Sequence, residues 1–177
     1  MNGDTTIMSI IASFWTIEKD SLADLLEKSK PYDKEIAKKS WFQKAKTEEV
    51  YPWHDFLSEN ALEEKGFDCS GMAMTDFDLI LMDSSSSIFD CGLPESNQMS
   101  EYSGGSAMLV CSESAKKIIQ NISSLNLSEP DVVRFYDEEE KPKDWRCEPQ
   151  DVINAGAHIK NWCEKVTSNK LGLLVIG

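Results

Sequence analysis

Only two imidazoles, His54 and His158, could act as general bases near neutral pH without a shifted pKa, and they stand more than a hundred positions apart. His54 precedes Asp55, but adjacent helical residues point about 100° apart and do not form a relay. The chain has no G-x-S-x-G elbow and no G-x-x-x-x-G-K-[ST] phosphate loop. The Ser103-Gly104-Gly105-Ser106 turn could offer backbone N–H groups to an anion, and it also serves simply as the loop into the next strand. Cys111 precedes a helix start, where a thiolate is favoured, yet its apolar neighbours argue for a buried, inert thiol. Asp76-x-Asp78 with Asp83 and Asp90 could gather oxygens around a hard cation. The calcium-loop pattern is not met, because no glycine falls at its sixth position and Ser87 occupies the twelfth. His158 and Cys163 are poorly spaced for shared ligation on a helix. No enzyme activity, metal or cofactor is expected from these residues.

The elements that would carry them follow from hydrophobic spacing. Ile7 to Ile17 reads as a buried strand after a polar, flexible leader, Met1 to Thr6. Leu22, Leu25, Leu26 and Ser29 form a helical stripe that Pro31 stops, and a second, Lys-rich helix is expected from Asp33 to Lys46 with Ile36, Ala37 and Trp41 inward. Trp53, Phe56, Leu57, Ala61 and Leu62 recur at helical spacing up to Gly66. Between Gly71 and Asp83 the apolar residues alternate imperfectly with Asp76 and Asp78, which reads as a strand, with helix as the open alternative. Ser84 to Ser87, Gly92, Pro94 and Gly104-Gly105 mark a long turn-rich connection.

Ala107 to Cys111 then reads as a strand, and Ser112 is placed to cap a helix carrying Ala115, Ile118, Ile119, Ile122 and Leu125. Ser128 with Pro130 opens another helix around Val132, Val133 and Tyr136. The last helix starts near Pro149 and buries Val152, Gly156, Ile159, Cys163 and Val166, before a terminal strand from Leu171 to Ile176. The expectation is a single mixed α/β domain over residues 7–177, a small mixed sheet covered by amphipathic helices, with an acidic, turn-rich middle at 47–106.

Charge separates this middle from the rest. Between Thr47 and Glu101 thirteen acids face one base, Lys65, so the segment holds nearly all of the net charge of -13. Such a field attracts basic proteins and repels nucleic-acid phosphate and anionic membranes. Glu48, Glu49, Asp55, Glu59, Glu63, Glu64, Asp76 and Asp78, with Trp53 as an anchor, are the expected partner-binding residues. Five scattered cysteines, odd in number, fit reduced thiols in a cytoplasm better than a disulfide scaffold, and no apolar run approaches the roughly 20 residues of a membrane span.

The segments Met8-Ser-Ile-Ile-Ala-Ser-Phe14, Ile17 to Leu26, Trp53-His-Asp-Phe-Leu57 and Leu171-Gly-Leu-Leu-Val-Ile-Gly177 together resemble the bacterial YfbM-like family of unknown function. The resemblance implies a single α/β domain in a bacterial cytoplasm and brings no catalytic residues. Relatives of that general kind look like passengers in toxin and immunity gene neighbourhoods. The expectation for function is accordingly an acidic cytoplasmic binding protein, an immunity protein that occludes the basic active cleft of a cognate toxin. The alternative is a small-molecule-binding or enzymatic α/β domain in which the acids serve solubility.

Overall fold

The computed structural model describes residues 10–36, 46–84 and 86–177. The leader, the first residues of the Ile7 to Ile17 strand, and Ala37 and Trp41 lie outside them.

Two near-continuous apolar runs, at the beginning and end of the described chain, pair along their whole length. β1 (Ala12–Glu18) lies antiparallel to β6 (Lys170–Ile176), with Phe14 opposite Leu174 and Ile17 opposite Leu171. β4 (Ala61–Glu63) flanks β1, and β5 (Ser106–Val110) flanks β6, giving the order β4-β1-β6-β5 with every pairing antiparallel.

Strand periodicity divides these residues between two cores. Phe14, Met108, Val110, Leu174 and Ile176 point into one, and Trp15, Ile17, Leu109, Leu173 and Val175 into the other. A sheet buried on both faces needs unbroken apolar strands, which Leu171 to Ile176 supplies. The first core is closed by α3 (Gly71–Met82), α5 (Ser112–Ser124), α6 (Glu129–Glu138) and α7 (Pro149–Cys163). The second is closed by α1 (Leu22–Lys28), α2 (Trp53–Asn60) and α4 (Ser96–Ser103). The fold is mixed α/β, with the sheet between two helical layers.

Five elements differ from the sequence expectation. Asp33 to Ile36 belongs to a strand, β2 (Tyr32–Ile36), which pairs with β3 (Lys46–Val50) in a separate ribbon instead of starting a helix. The helix at Trp53 stops at Asn60, whose side-chain amide donates to the Phe56 carbonyl at 2.9 Å. Ala61 to Glu63 then turns into the sheet and leaves Leu62 62% exposed. Gly71 to Met82 is a helix capped by Ser70, whose hydroxyl accepts the Met72 N–H at 3.2 Å. The turn-rich connection holds α4, and Cys111, not Ser112, is the N-cap of α5.

α4 also finishes the sheet. Its Ser96 hydroxyl accepts the Leu109 N–H at 2.9 Å, and Ser100 accepts the Ala107 N–H at 2.9 Å while donating to the Ala107 carbonyl at 3.2 Å. These two side chains satisfy outer backbone groups that β5, as an edge strand, would otherwise leave open.

Candidate functional site

Helical spacing decides which acids of the middle segment face outward. In α2, Phe56 and Leu57 are buried while Asp55 and Glu59, four residues apart, share an exposed face. Glu63, opposite Trp15 in the sheet register, points to the side of the sheet that α2 covers and is also exposed. Glu48 and Glu49 lie exposed on β3, just before that helix. None of these five carboxylates takes part in an ion pair among the described residues. Glu49 accepts the Tyr51 hydroxyl at 2.8 Å.

Trp53 is half-buried against the second core, with the His54 ring 5.5 Å away, so its indole is partly committed to packing. His54 is exposed and lies 6.0 Å from the Trp15 ring.

Three expected partner-binding residues have no surface to offer. Glu64 points to the opposite side of the sheet from Glu63; its side chain is only 8% exposed and pairs with Lys165. Asp76 is buried on α3, accepts the Tyr136 hydroxyl at 2.8 Å and pairs with Lys141. Asp78 accepts the Ser87 hydroxyl at 2.7 Å and the Ile88 N–H at 2.6 Å, and burial pushes its carboxyl above the usual range against both bonds. These carboxylates organise the interior: Asp78 anchors the chain after α3, and Asp76 anchors the loop after α6. The Asp76 pairing is reinforced by Arg146, which donates to the Lys141 carbonyl and to Asp137, both at 2.8 Å, and lies 5.6 Å from the Tyr136 ring centre. Among the described residues no group of three His, Cys, Asp or Glu side chains is arranged to hold a metal ion.

His158 packs against the rings of Phe14, at 4.6 Å, and Phe67, at 5.1 Å, which also touch each other at 5.2 Å. Burial holds its pKa below the ordinary 6.5; the nearby Lys165 lowers it further, while Glu64 and Asp68 oppose the shift. Its Nε2 and the Glu64 Oε1 are both buried with no hydrogen-bond partner among the described residues.

The cysteine expectation needs revision at one position. Cys69, Cys91, Cys147 and Cys163 are all pushed up by burial, Cys147 to about 11 and Cys163 to about 12. Cys111 moves the other way. Its burial raises the thiol, but hydrogen bonds from the Ser114 side chain and from the Ser114 and Glu113 backbone at the start of α5 outweigh it. Cys111 is half-buried and lines a cleft of about 470 Å³ with Lys19, Leu22, Pro94, Ser112 and Leu171. Its place before a helix was legible in the sequence; that its apolar neighbours would leave one side open was not.

No family model matches the chain, and no curated protein and no solved structure matches it either. No helix among the described residues is long and apolar enough to cross a membrane.

Proposed function

We propose that the protein is an acidic binding protein that docks on a basic protein partner, in its most concrete form a cytoplasmic immunity protein that covers the cationic cleft of a cognate bacterial toxin. The observation that carries this reading is the set of five exposed carboxylates, Glu48, Glu49, Asp55, Glu59 and Glu63, without a single cation paired to them among the described residues. Neighbouring α1, by contrast, pairs Asp24 with Lys28, and Glu27 with Lys30 just past its end. An unneutralised field of this kind accelerates encounter with a cationic surface and rejects phosphate-bearing competitors.

The test is the triple variant Asp55→Lys, Glu59→Lys, Glu63→Lys, assayed against basic proteins encoded beside this gene over a range of salt. The association rate is expected to fall at least about tenfold at low salt and its salt dependence to flatten. Unchanged rates and an unchanged salt dependence would remove this face from the account.

A second reading, a small-molecule-binding or enzymatic domain, draws on the Cys111 cleft, where the one thiol with a lowered pKa lines a cleft of ligand size. It expects iodoacetamide to label Cys111 before the other four cysteines, and a metabolite that fills the cleft to slow that labelling and raise the melting temperature. Equal labelling of all five cysteines would set it aside.

A further inference from the structure

The ribbon of β2 and β3 stands apart from the main sheet, and its register sorts its charges by face. Tyr32 lies opposite Val50, Asp33 opposite Glu49, Lys34 opposite Glu48, Glu35 opposite Thr47 and Ile36 opposite Lys46. Side chains alternate along a strand, so Asp33, Glu35, Thr47 and Glu49 share one face, while Tyr32, Lys34, Ile36, Lys46, Glu48 and Val50 share the other. The first face holds three carboxylates and no base. The second carries two lysines and one acid among apolar side chains: Lys34 lies opposite Glu48 in register, between Tyr32, 53% exposed, and Ile36, 40% exposed, and Lys46 lies opposite Ile36.

This ribbon is incomplete in two ways. Like charges directly opposite each other, as at Asp33 and Glu49, cost stability, and a two-stranded ribbon is marginal by itself in water. Among the described residues neither strand pairs with a third, so none of them supplies partners for the backbone N–H and C=O groups along either outer edge.

The two edges differ in charge. β3 offers Glu49, already engaged by the Tyr51 hydroxyl, and the neutral Thr47. β2 offers Asp33 and Glu35, two residues apart, neither with a hydrogen bond or ion pair among the described residues. A second copy of this chain is a poor occupant, because it would set the same carboxylates against themselves within a molecule of net charge -13.

We infer that the outer edge of β2 accepts an extended Lys/Arg-rich segment of the partner protein as a third strand, its basic side chains over Asp33 and Glu35 and its alternate apolar side chains beside Tyr32 and Ile36. Strand addition of this kind takes affinity from main-chain hydrogen bonds and specificity from alternate side chains. Two basic residues at positions j and j+2 match the two carboxylates in spacing, since both repeat on one face every second residue. The inference rests on the acidic-binding reading above and names the form of the ligand.

Two eight-residue peptides of identical composition test it, one alternating Lys and Val, the other with four Val followed by four Lys. The alternating peptide is expected to bind about tenfold more tightly, and Asp33→Lys with Glu35→Lys to erase that advantage, as loss of two cross-strand ion pairs would. N-methylation of every second amide, on the set that faces the ribbon, is expected to abolish the advantage too; circular dichroism confirms that the variant stays folded. Equal binding of the two isomers, or full affinity retained whichever of the two alternate sets is N-methylated, overturns the strand. If that happens while the Asp55, Glu59 and Glu63 reversals still weaken basic-protein binding, the acidic-binding reading survives without the strand; if those reversals are silent as well, both fall.

Discussion

Replacing Asp76 by Ala separates an interior role for this carboxylate from a role in recognition. Asp76 is 2% exposed; it accepts the Tyr136 hydroxyl at 2.8 Å and neutralises Lys141, whose side chain is 16% exposed. Removing it leaves the Lys141 ammonium without a counter-charge and costs Tyr136 an acceptor, while the Cys147 N–H still donates to the Tyr136 oxygen at 3.2 Å. Breaking one partner out of a buried ion pair costs about 3–5 kcal/mol. Lys141 lies near the rim and can swing toward water, so the lower end, about 3 kcal/mol, is expected. For a chain of this size that corresponds to a melting temperature lower by about 6–12 °C. Urea unfolding followed by tryptophan fluorescence measures the change directly, and the double replacement Asp76→Leu with Lys141→Met is expected to recover most of it, because the uncompensated charge is gone. An Asp76→Ala protein within about 1 kcal/mol of the parent would refute the argument. So would a double variant no more stable than the single one.

Three further outcomes follow from packing and titration. His158 has a folded pKa below its unfolded 6.5, so the folded state prefers the neutral ring. Its contribution to stability is complete above about pH 6.5 and is lost as pH falls from there toward the lower folded value; a His158→Gln protein should lose that part of the slope, and an identical pH profile for both proteins would contradict it. Gly156→Ala would set a Cβ 2.3 Å from a Phe77 ring carbon where α7 meets α3, so about 1–3 kcal/mol of destabilisation is expected despite alanine's better helix propensity. Adding Phe77→Leu should recover part of that loss, and a Gly156→Ala protein more stable than its parent would show the helices free to separate.

The sequence was most informative where burial is one-sided or complete. α5 and α7 carry clear apolar stripes, and β5 and β6 are short apolar runs, so their places could be read directly. α3 misled for a physical reason. It is buried on most of its circumference, including Asp76 and Asp78, and acids at alternate positions imitate a half-exposed strand when nothing in the sequence reveals Tyr136, Lys141 and Ser87 waiting for them. β2 is exposed along its length, so no apolar period marked it, and its lysine and two acids imitated a surface helix. α4 buries only Met99 and Tyr102 among serines, too faint a stripe to rise above the turn residues around it. The acidic surface was legible as a charge count, but which acids reach solvent depended on alternation around β4: Glu63 faces out, and Glu64 turns inward to Lys165.

The serine pair on α4 has a consequence for behaviour at high concentration. With Ser96 and Ser100 sealing one margin of the central sheet and the other margin only three residues long, that sheet offers little template for end-to-end growth into fibrils. Self-assembly, if forced by crowding or overexpression, should start from the small ribbon, where mutual repulsion between like-charged molecules opposes it until salt is raised.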